Sequence, residues 1–355
     1  MKTNRRIIIT VLFIGIFTLS FNYPTAETSC MTIVKECTDA KIYYSYPCEF
    51  PASGIGDICD LSLLELNPED DLSHNTVFKS GEDGYHTYRI PSVVQAKNGT
   101  LIAFAEGRRD RSTDPGGGHI DLVYKLSHDG GRNWSSMLIM EKSKEQWGAS
   151  NPTVILQKSG RILILYNVWK PGRGQNAGNC RPGKLDNQVW LRYSDDNGNT
   201  WSKVKNITRQ ARNFKRWGHA TLGPGHGIET SKGRLVVPVN EPGIIDTSIV
   251  RSISFAIFSD DGGNNWKRGQ NINVPTNENQ IVELDDGRLM IDARQSTSSE
   301  TRWQALSNDQ GQTWDKARPG QVCAPICAGI IRYPRQGKSS LLLWSGIKGP
   351  GRSNL

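Results

Sequence analysis

No metal-ligand cluster, no phosphate-binding glycine loop and no convincing helical periodicity can be read in these 355 residues. The first two absences leave chemistry run by side chains, with no metal and no cofactor expected. The third argues against an α-rich fold. Blocks of like charge are missing as well. The 43 Lys and Arg exceed the 35 Asp and Glu, for a net charge of +8, but the bases are scattered. There is no run of five and no aromatic-basic stripe, so nucleic acid is not an expected partner. An acidic small molecule or an anionic glycan suits such a surface better. A confident membrane span is lacking too, because the one long apolar run, residues 7–21, is short and interrupted.

That run has another reading. Lys2, Arg5 and Arg6 precede it, and a basic start followed by a short apolar stretch is a secretory signal, expected to be removed near Ser20 or Ala26. The expected signal peptide is residues 1–26, and the mature chain is expected to be secreted or lumenal, lysosomal included, with no membrane span. Seven cysteines fit export. Cys30, Cys37, Cys48 and Cys59 fall within a Cys-rich segment and linker, 27–72, where two bridges in any of three pairings would staple a stretch with little core. The spacings lack C-x-x-C, which weakens a zinc reading. Cys323 and Cys327 suit a mutual bridge, leaving Cys180 odd. Asn98-Gly-Thr, Asn133-Trp-Ser and Asn206-Ile-Thr are glycosylation triplets.

A repeat sets the architecture. S-H-D-G-G-R-N-W from Ser127, S-D-D-N-G-N-T-W from Ser194, S-D-D-G-G-N-N-W from Ser259 and S-N-D-Q-G-Q-T-W from Ser307 share S-x-D-x-G-x-x-W. The pattern is that of a tight hairpin. Asp accepts backbone N–H groups two or three residues on, Gly takes a positive φ, and Trp lays its ring on the sheet and seals the turn to its own layer. β-rich runs such as L-V-Y-K-L-S and I-S-F-A-I-F-S precede the boxes, and R-I-L-I-L-Y-N-V-W lies between two of them. Several strands per unit, recurring at this interval, predict an all-β propeller over 73–355. The box acids are turn residues, not catalysts.

With these boxes stand Y-R-I-P from Tyr88, A-F-A-E-G-R from Ala103, G-P-G-H-G-I from Gly223 and N-E-N-Q-I-V-E-L from Asn277. Together they resemble the exo-α-sialidases, from about residue 76 to the end. The resemblance implies a six-bladed propeller, of which about five blades are present, and the removal of terminal sialic acids from glycoproteins, gangliosides and oligosaccharides. Sialic acid carries a carboxylate on its anomeric carbon, and arginine matches a carboxylate with a planar, permanently charged fork. By resemblance Arg89, Arg294 and Arg352 form the arginine triad, and Arg108 contacts a sugar hydroxyl. Asp114 is the general acid, on a loop whose Pro and three Gly read as flexible, and Asp110 is its rival. Glu278 activates a tyrosine nucleophile, a neutral group that escapes repulsion by the substrate carboxylate. Its sixteen-residue spacing to Arg294 fits two strands joined by the D-D-G turn at 285–287.

The family's tyrosine follows the third arginine, whereas here only Ser353, Asn354 and Leu355 follow Arg352. Tyr333, in the different context R-Y-P-R, is no substitute. The chain is therefore expected to be a C-terminally incomplete sialidase lacking its nucleophile, stopping just after an apparent buried strand, Leu341 to Trp344. The alternative is a non-catalytic sialic-acid-binding or matrix propeller. Asn240 and Glu241 replace the tyrosines that contact the glycerol tail in some relatives. Linkage preference, hydrolysis against transfer, and oligomeric state are left open.

Overall fold

The computed structural model describes residues 75–346, apart from 145, 175–178, 297–300, 324 and 336–337, and the backbone of strands Glu36–Cys37 and Ala40–Ser45. The signal sequence, Cys30, Cys48, Cys59 and Arg352 lie outside the described residues. Among these, helix is confined to one turn, Thr208–Ala211, and no helix is long and apolar enough to cross a membrane.

Three sheets hold five blades, the number that the resemblance implies for this chain. Blade 1 runs Thr87–Gln95, Leu101–Arg108, Ile120–Ser127 and Leu138–Glu141. Blade 2 runs Gly148–Leu156, Ile162–Trp169, Asn187–Ser194 and Lys205–Asn206. Blade 3 opens on the short pieces Thr221–Leu222 and Ile228–Glu229, both paired with Leu235–Ile245, which Ser248–Ser259 follows; between them Gly225–His226 pairs parallel with Gly148–Leu156 of blade 2. The long strand Lys267–Glu283 is shared: its first half is the outer edge of blade 3, and its second half is the inner strand of blade 4, followed by Leu289–Gln295, Thr301–Ser307 and Arg318–Val322. Blade 5 has Gly329–Arg335 and Lys338–Ser345. Its outer strands come from the Cys-rich segment: Ala40–Ser45 pairs antiparallel with Lys338–Ser345, and Glu36–Cys37 lies beyond. That segment is thereby tied to the propeller through backbone pairing.

The core lies between blades. Ile102, Phe104 and Leu122 of blade 1 pack on Val154, Ile164 and Val168 of blade 2. Leu163 and Leu165 meet Val237 and Phe255 of blade 3, and Val236 and Phe258 meet Ile281 and Ile291 of blade 4. The second strands of blades 1 and 2, Leu101–Arg108 and Ile162–Trp169, therefore bury both faces, which explains their near-continuous apolar runs, whereas outer strands such as Arg318–Val322 are largely exposed. The run Leu341 to Trp344 is less uniform than its sequence. Leu342 and Trp344 are buried against blade 4, whereas Leu341 and Leu343 on the other face are half-exposed.

The boxes are hairpin clasps, with details that differ from expectation. Asp129 Oδ1 accepts the N–H of Asn133, four residues on, at 2.9 Å, and Thr200, Asn265 and Thr313 repeat this in the other boxes. The same Asn or Thr side chain donates to the second carboxylate oxygen. The opening Ser bridges Asp and Gly, as in Ser259 Oγ to Asp261 Oδ1 at 2.8 Å and Gly263 N to Ser259 Oγ at 2.9 Å. The box glycines take φ between 86° and 94°. Trp134 seals its turn to its own blade, against Ala103, Ala105 and Val123, as expected, whereas Trp201, Trp266 and Trp314 reach the blade before their own. Trp201, in blade 2, meets Phe104 and Tyr124 of blade 1 edge-on at 5.9 and 6.1 Å.

These bonds act on the carboxyls. The Asn133 and Asn265 backbone N–H groups lead in holding Asp129 and Asp261 at about 2, below the usual 3.8. A carboxyl depressed in the fold contributes stability above its unfolded pKa and loses it as pH falls through the folded one. Melting temperature is therefore expected to drop between about pH 4 and pH 2, and less steeply in Asp261→Asn. Equal acid slopes in a pH series of thermal melts would remove this role.

Candidate active site

Strand direction puts the candidate residues at one end of the propeller. Arg89 begins the inner strand of blade 1, Arg108 ends the second, and Asp114 follows in the loop to the third. Glu278 lies where the long strand enters blade 4, and Arg294 near the end of the next strand. The boxes end the third strands at the opposite side. A cavity of about 440 Å³ lies there, lined by box residues including Asp195, Asn197 and Asp261, and holds none of the candidates.

Bulges aim the inner strands. Register shifts occur between Arg89 and Ser92, Ser150 and Thr153, and Thr276 and Asn279. Pro91 and Pro152 cause the first two in part, having no N–H to give the ladder. The preceding residues, Ile90 and Asn151, take φ of 54° and 53°. For a β-branched Ile this is a strained state costing about 1–3 kcal/mol, of the kind that collects where a side chain must point one way.

The first cluster is built on Arg108, whose side chain is 1% exposed. Its Nε and Nη2 donate to Glu106 Oε2 at 2.9 and 2.6 Å, and its Nη1 to Asp114 Oδ1 at 3.2 Å. Burial by itself would lower its pKa; Glu106, then Asp114, reverse the sign and raise it. Arg89 Nη1 donates to the same Asp114 oxygen at 3.0 Å. Glu106 Oε1 accepts Asn151 N at 3.1 Å, tying the cluster to blade 2. Glu106, fully buried, was missed by the sequence reading although it stands in the quoted A-E-G-R; its cue was a carboxylate two residues from an arginine on one strand face. Asp110 is not part of this group. It is exposed, accepts from His119 Nδ1 at 3.2 Å and is acidified chiefly by that bond, the wrong direction for a general acid.

Gly116, the first of the three glycines after Asp114, serves close packing. Gly172 N donates to Gly116 O at 3.0 Å, and a Cβ on Gly116, whose φ is 94°, would stand 2.4 Å from Arg173 O. The loop thus docks on blade 2.

The second cluster pairs Arg294 Nη1 with Glu278 Oε2 at 2.5 Å, both about one-fifth exposed. The D-D-G turn forms as expected, with Gly287 N on Leu284 O and Asn279 opposite Ala293. Arg294 Nε is buried without a partner. Cys323 and Cys327 lie near this group, and the expected bridge between them is absent: both are thiols. Fold position explains this, since Cys323 belongs to the apolar core between blades 4 and 5 while Cys327 lies on the segment held through Ile326 O by Arg302 Nη1. Asn240 and Glu241 are both buried, Glu241 against Arg268 Nη2 at 2.6 Å.

The two clusters make no direct contact among the described bonds, but one segment joins their blades. Residues 221–227 accept from Asn151 Nδ2 at Leu222 O, Thr153 Oγ1 at Gly223 O, Gln280 Nε2 at Pro224 O and Ser92 Oγ at Gly225 O, between 2.5 and 2.8 Å. Gly223 allows this, because a Cβ there would lie 2.4 Å from Asn279 O. Blades 1, 2 and 4 therefore meet on G-P-G-H-G, the hub.

The family described as a BNR repeat-like domain matches residues 99–342. The chain belongs to the sialidase family. A sialidase of Bacteroides fragilis (strain YCH46) is 31% identical over 305 residues, 80% of this chain and 55% of its own. Among solved structures, the Hadza microbial sialidase Hz136 superposes with a TM-score of 0.66 at 29% identity, over 75% of this chain and 54% of that one. The NanB sialidase of Streptococcus pneumoniae gives 0.64 at 18%, over 76% and 58%, a likeness of fold. The chain spans a little over half the length of these sialidases, and its two arginine–carboxylate clusters stand on the first and fourth sialidase blades.

Proposed function

We propose that this end of the propeller binds terminal sialic acid, and that Asp114 and Glu278 are the acid and base of an exo-α-sialidase site. The observation that carries it is the placing of Arg89 and Arg108 on blade 1 and Arg294 on blade 4 at the same end of the propeller, each against a carboxylate. Asp114 now satisfies Arg89 with a carboxylate oxygen. A sugar carboxylate would replace it, and Asp114, released beside Arg108, would be free to take up the proton it gives to the leaving oxygen. Glu278, held by Arg294, is the base for a tyrosine in a retaining reaction. Arg352 would complete the arginine triad. The chain's export and its glycan partners on glycoproteins and gangliosides are parts of the same proposal.

One observation favours the non-catalytic alternative for the chain as it stands: among the described residues no tyrosine hydroxyl bonds Glu278, and Tyr333 lies on the inner strand of blade 5. Binding without turnover is the expected outcome. Sialyllactose should bind in calorimetry while a fluorogenic sialoside is released at the background rate. Robust release would refute this account of the nucleophile, and absent binding would refute the site.

A further inference from the structure

Two loops at the candidate-site end form a surface that the sequence does not display as a stripe. One is 179–186, between the second and third strands of blade 2. The other is 208–218, leading from blade 2 to the hub. They are locked together. Gly183 N donates to Phe214 O at 2.8 Å, the buried Arg212 donates to Lys184 O and Gly218 O, and a Cβ on Gly218 would collide with Cys180 O. Arg209 and Arg212 lie over the Phe214 ring at 4.3 and 4.8 Å from its centroid, and Arg216 over Trp217 at 5.2 Å. Such stacking holds the exposed Arg209 and Arg216 in place while their outer N–H groups stay available, and the buried Arg212, its Nη groups spent on backbone carbonyls, props the ring from below. A second cavity, about 210 Å³, opens beside Arg209 and the exposed Leu185.

Most of the bases here lack an ion-pair partner among the described residues, Arg181 with Asp186 at 2.8 Å being the exception, whereas Arg161, Arg234 and Arg288 elsewhere pair with Asp195, Asp260 and Asp286. Among the described residues none of Lys184, Arg209, Arg212, Lys215 and Arg216 lies within 4 Å of a carboxylate in an ion pair. Arg212 is 3% exposed with its Nε unpartnered, and burial first of all lowers its pKa to about 10. Four residues along the chain from Trp217, Thr221 enters the hub, and the intervening His219 packs on Trp169, whose Nε1 donates to Ser150 beside Asn151. The surface therefore flanks the candidate site on the side of blades 2 and 3.

We propose that this platform binds an anionic sugar in the remainder of the glycan, one or more units from the sialic acid in the site, so that the preferred ligands carry further carboxylate or sulfate groups. The proposal rests on the sialoside reading above. Four probes separate the cases: sialyllactose, an α2,8-linked trisialyl oligosaccharide, a heparin hexasaccharide and an oligothymidylate. Arg209 and Arg216 are exposed and outside the catalytic machinery, so Arg209→Ser/Arg216→Ser should fold normally. The double variant is expected to bind the trisialyl or the sulfated probe about tenfold more weakly, with sialyllactose unchanged. Whichever of the two loses more identifies carboxylate or sulfate as the source. Unchanged affinity for both, or an oligothymidylate bound more tightly than either, would overturn the proposal. Failure of the site itself is read separately, as loss of the Arg294 effect on sialyllactose.

Discussion

Arg294→Ala is expected to weaken sialyllactose binding by more than about 100-fold. A guanidinium fork on a carboxylate supplies two charge-assisted hydrogen bonds, together about 3 kcal/mol when largely removed from water. The substitution also leaves the Glu278 carboxylate, now neutralised at 2.5 Å, facing the anionic sugar alone. Both effects act in one direction. Arg294→Lys retains a charge but not the fork, so it should fall between wild type and alanine. The measurement is calorimetry with sialyllactose, beside a melting curve to show that the fold persists. Affinity unchanged in the alanine variant would turn the reading toward an adhesion propeller whose boxes are only clasps.

Asp292→Ala should cost the most stability. Asp292 and Arg302 form an ion pair at 2.5 Å with side chains 0% and 2% exposed. Asp292 Oδ1 also accepts from Gln304 at 3.2 Å, and Trp344 of blade 5 approaches Oδ2 at 3.4 Å. Burial would depress the Arg302 pKa, but Asp292 reverses this and raises it. Without Asp292 the guanidinium remains buried with the carbonyls of Ile326 and residue 292. Breaking such a pair costs about 3–5 kcal/mol, here roughly 10 °C in melting temperature. Asp292→Ala/Arg302→Met removes both charges and should recover most of the loss. A single variant within 1 °C of wild type would show that the pair does not hold blades 4 and 5 together. Position on the strand links this to function. Leu289, Ile291 and Ala293 face blade 3, whereas Met290 and Asp292 face blade 5, and Arg294 continues that second row. Loosening the pair should thus weaken sialoside binding as well.

The box hairpins were legible in the sequence because every bond that closes them lies within eight residues. That Glu278 and Arg294 lie on neighbouring strands was legible for a similar reason, one turn of known chemistry separating them, whereas their ion pair was not. Even so, two box features stayed hidden. The Asn or Thr before each Trp stands in all four boxes, and only its bonds show why. Three of the four Trp rings, all but Trp134, cross to the preceding blade, a contact that periodicity along one strand cannot specify.

The all-β class and the box turns were thus decided by the sequence through local turn chemistry, while the count of about five blades and the choice of candidate residues came from the resemblance of its motifs to the sialidases. Tertiary structure alone decided that Asp114 meets both Arg89 and Arg108, that Glu106 reaches Asn151 of blade 2, that no bridge joins Cys323 to Cys327, and that the loop 208–218 locks onto 179–186. The physical reason is range. Hydrogen bonds within a hairpin depend on residue type and spacing, whereas contacts between blades depend on how sheets twist and pack, and residues far apart in the chain meet only once the core between them has formed.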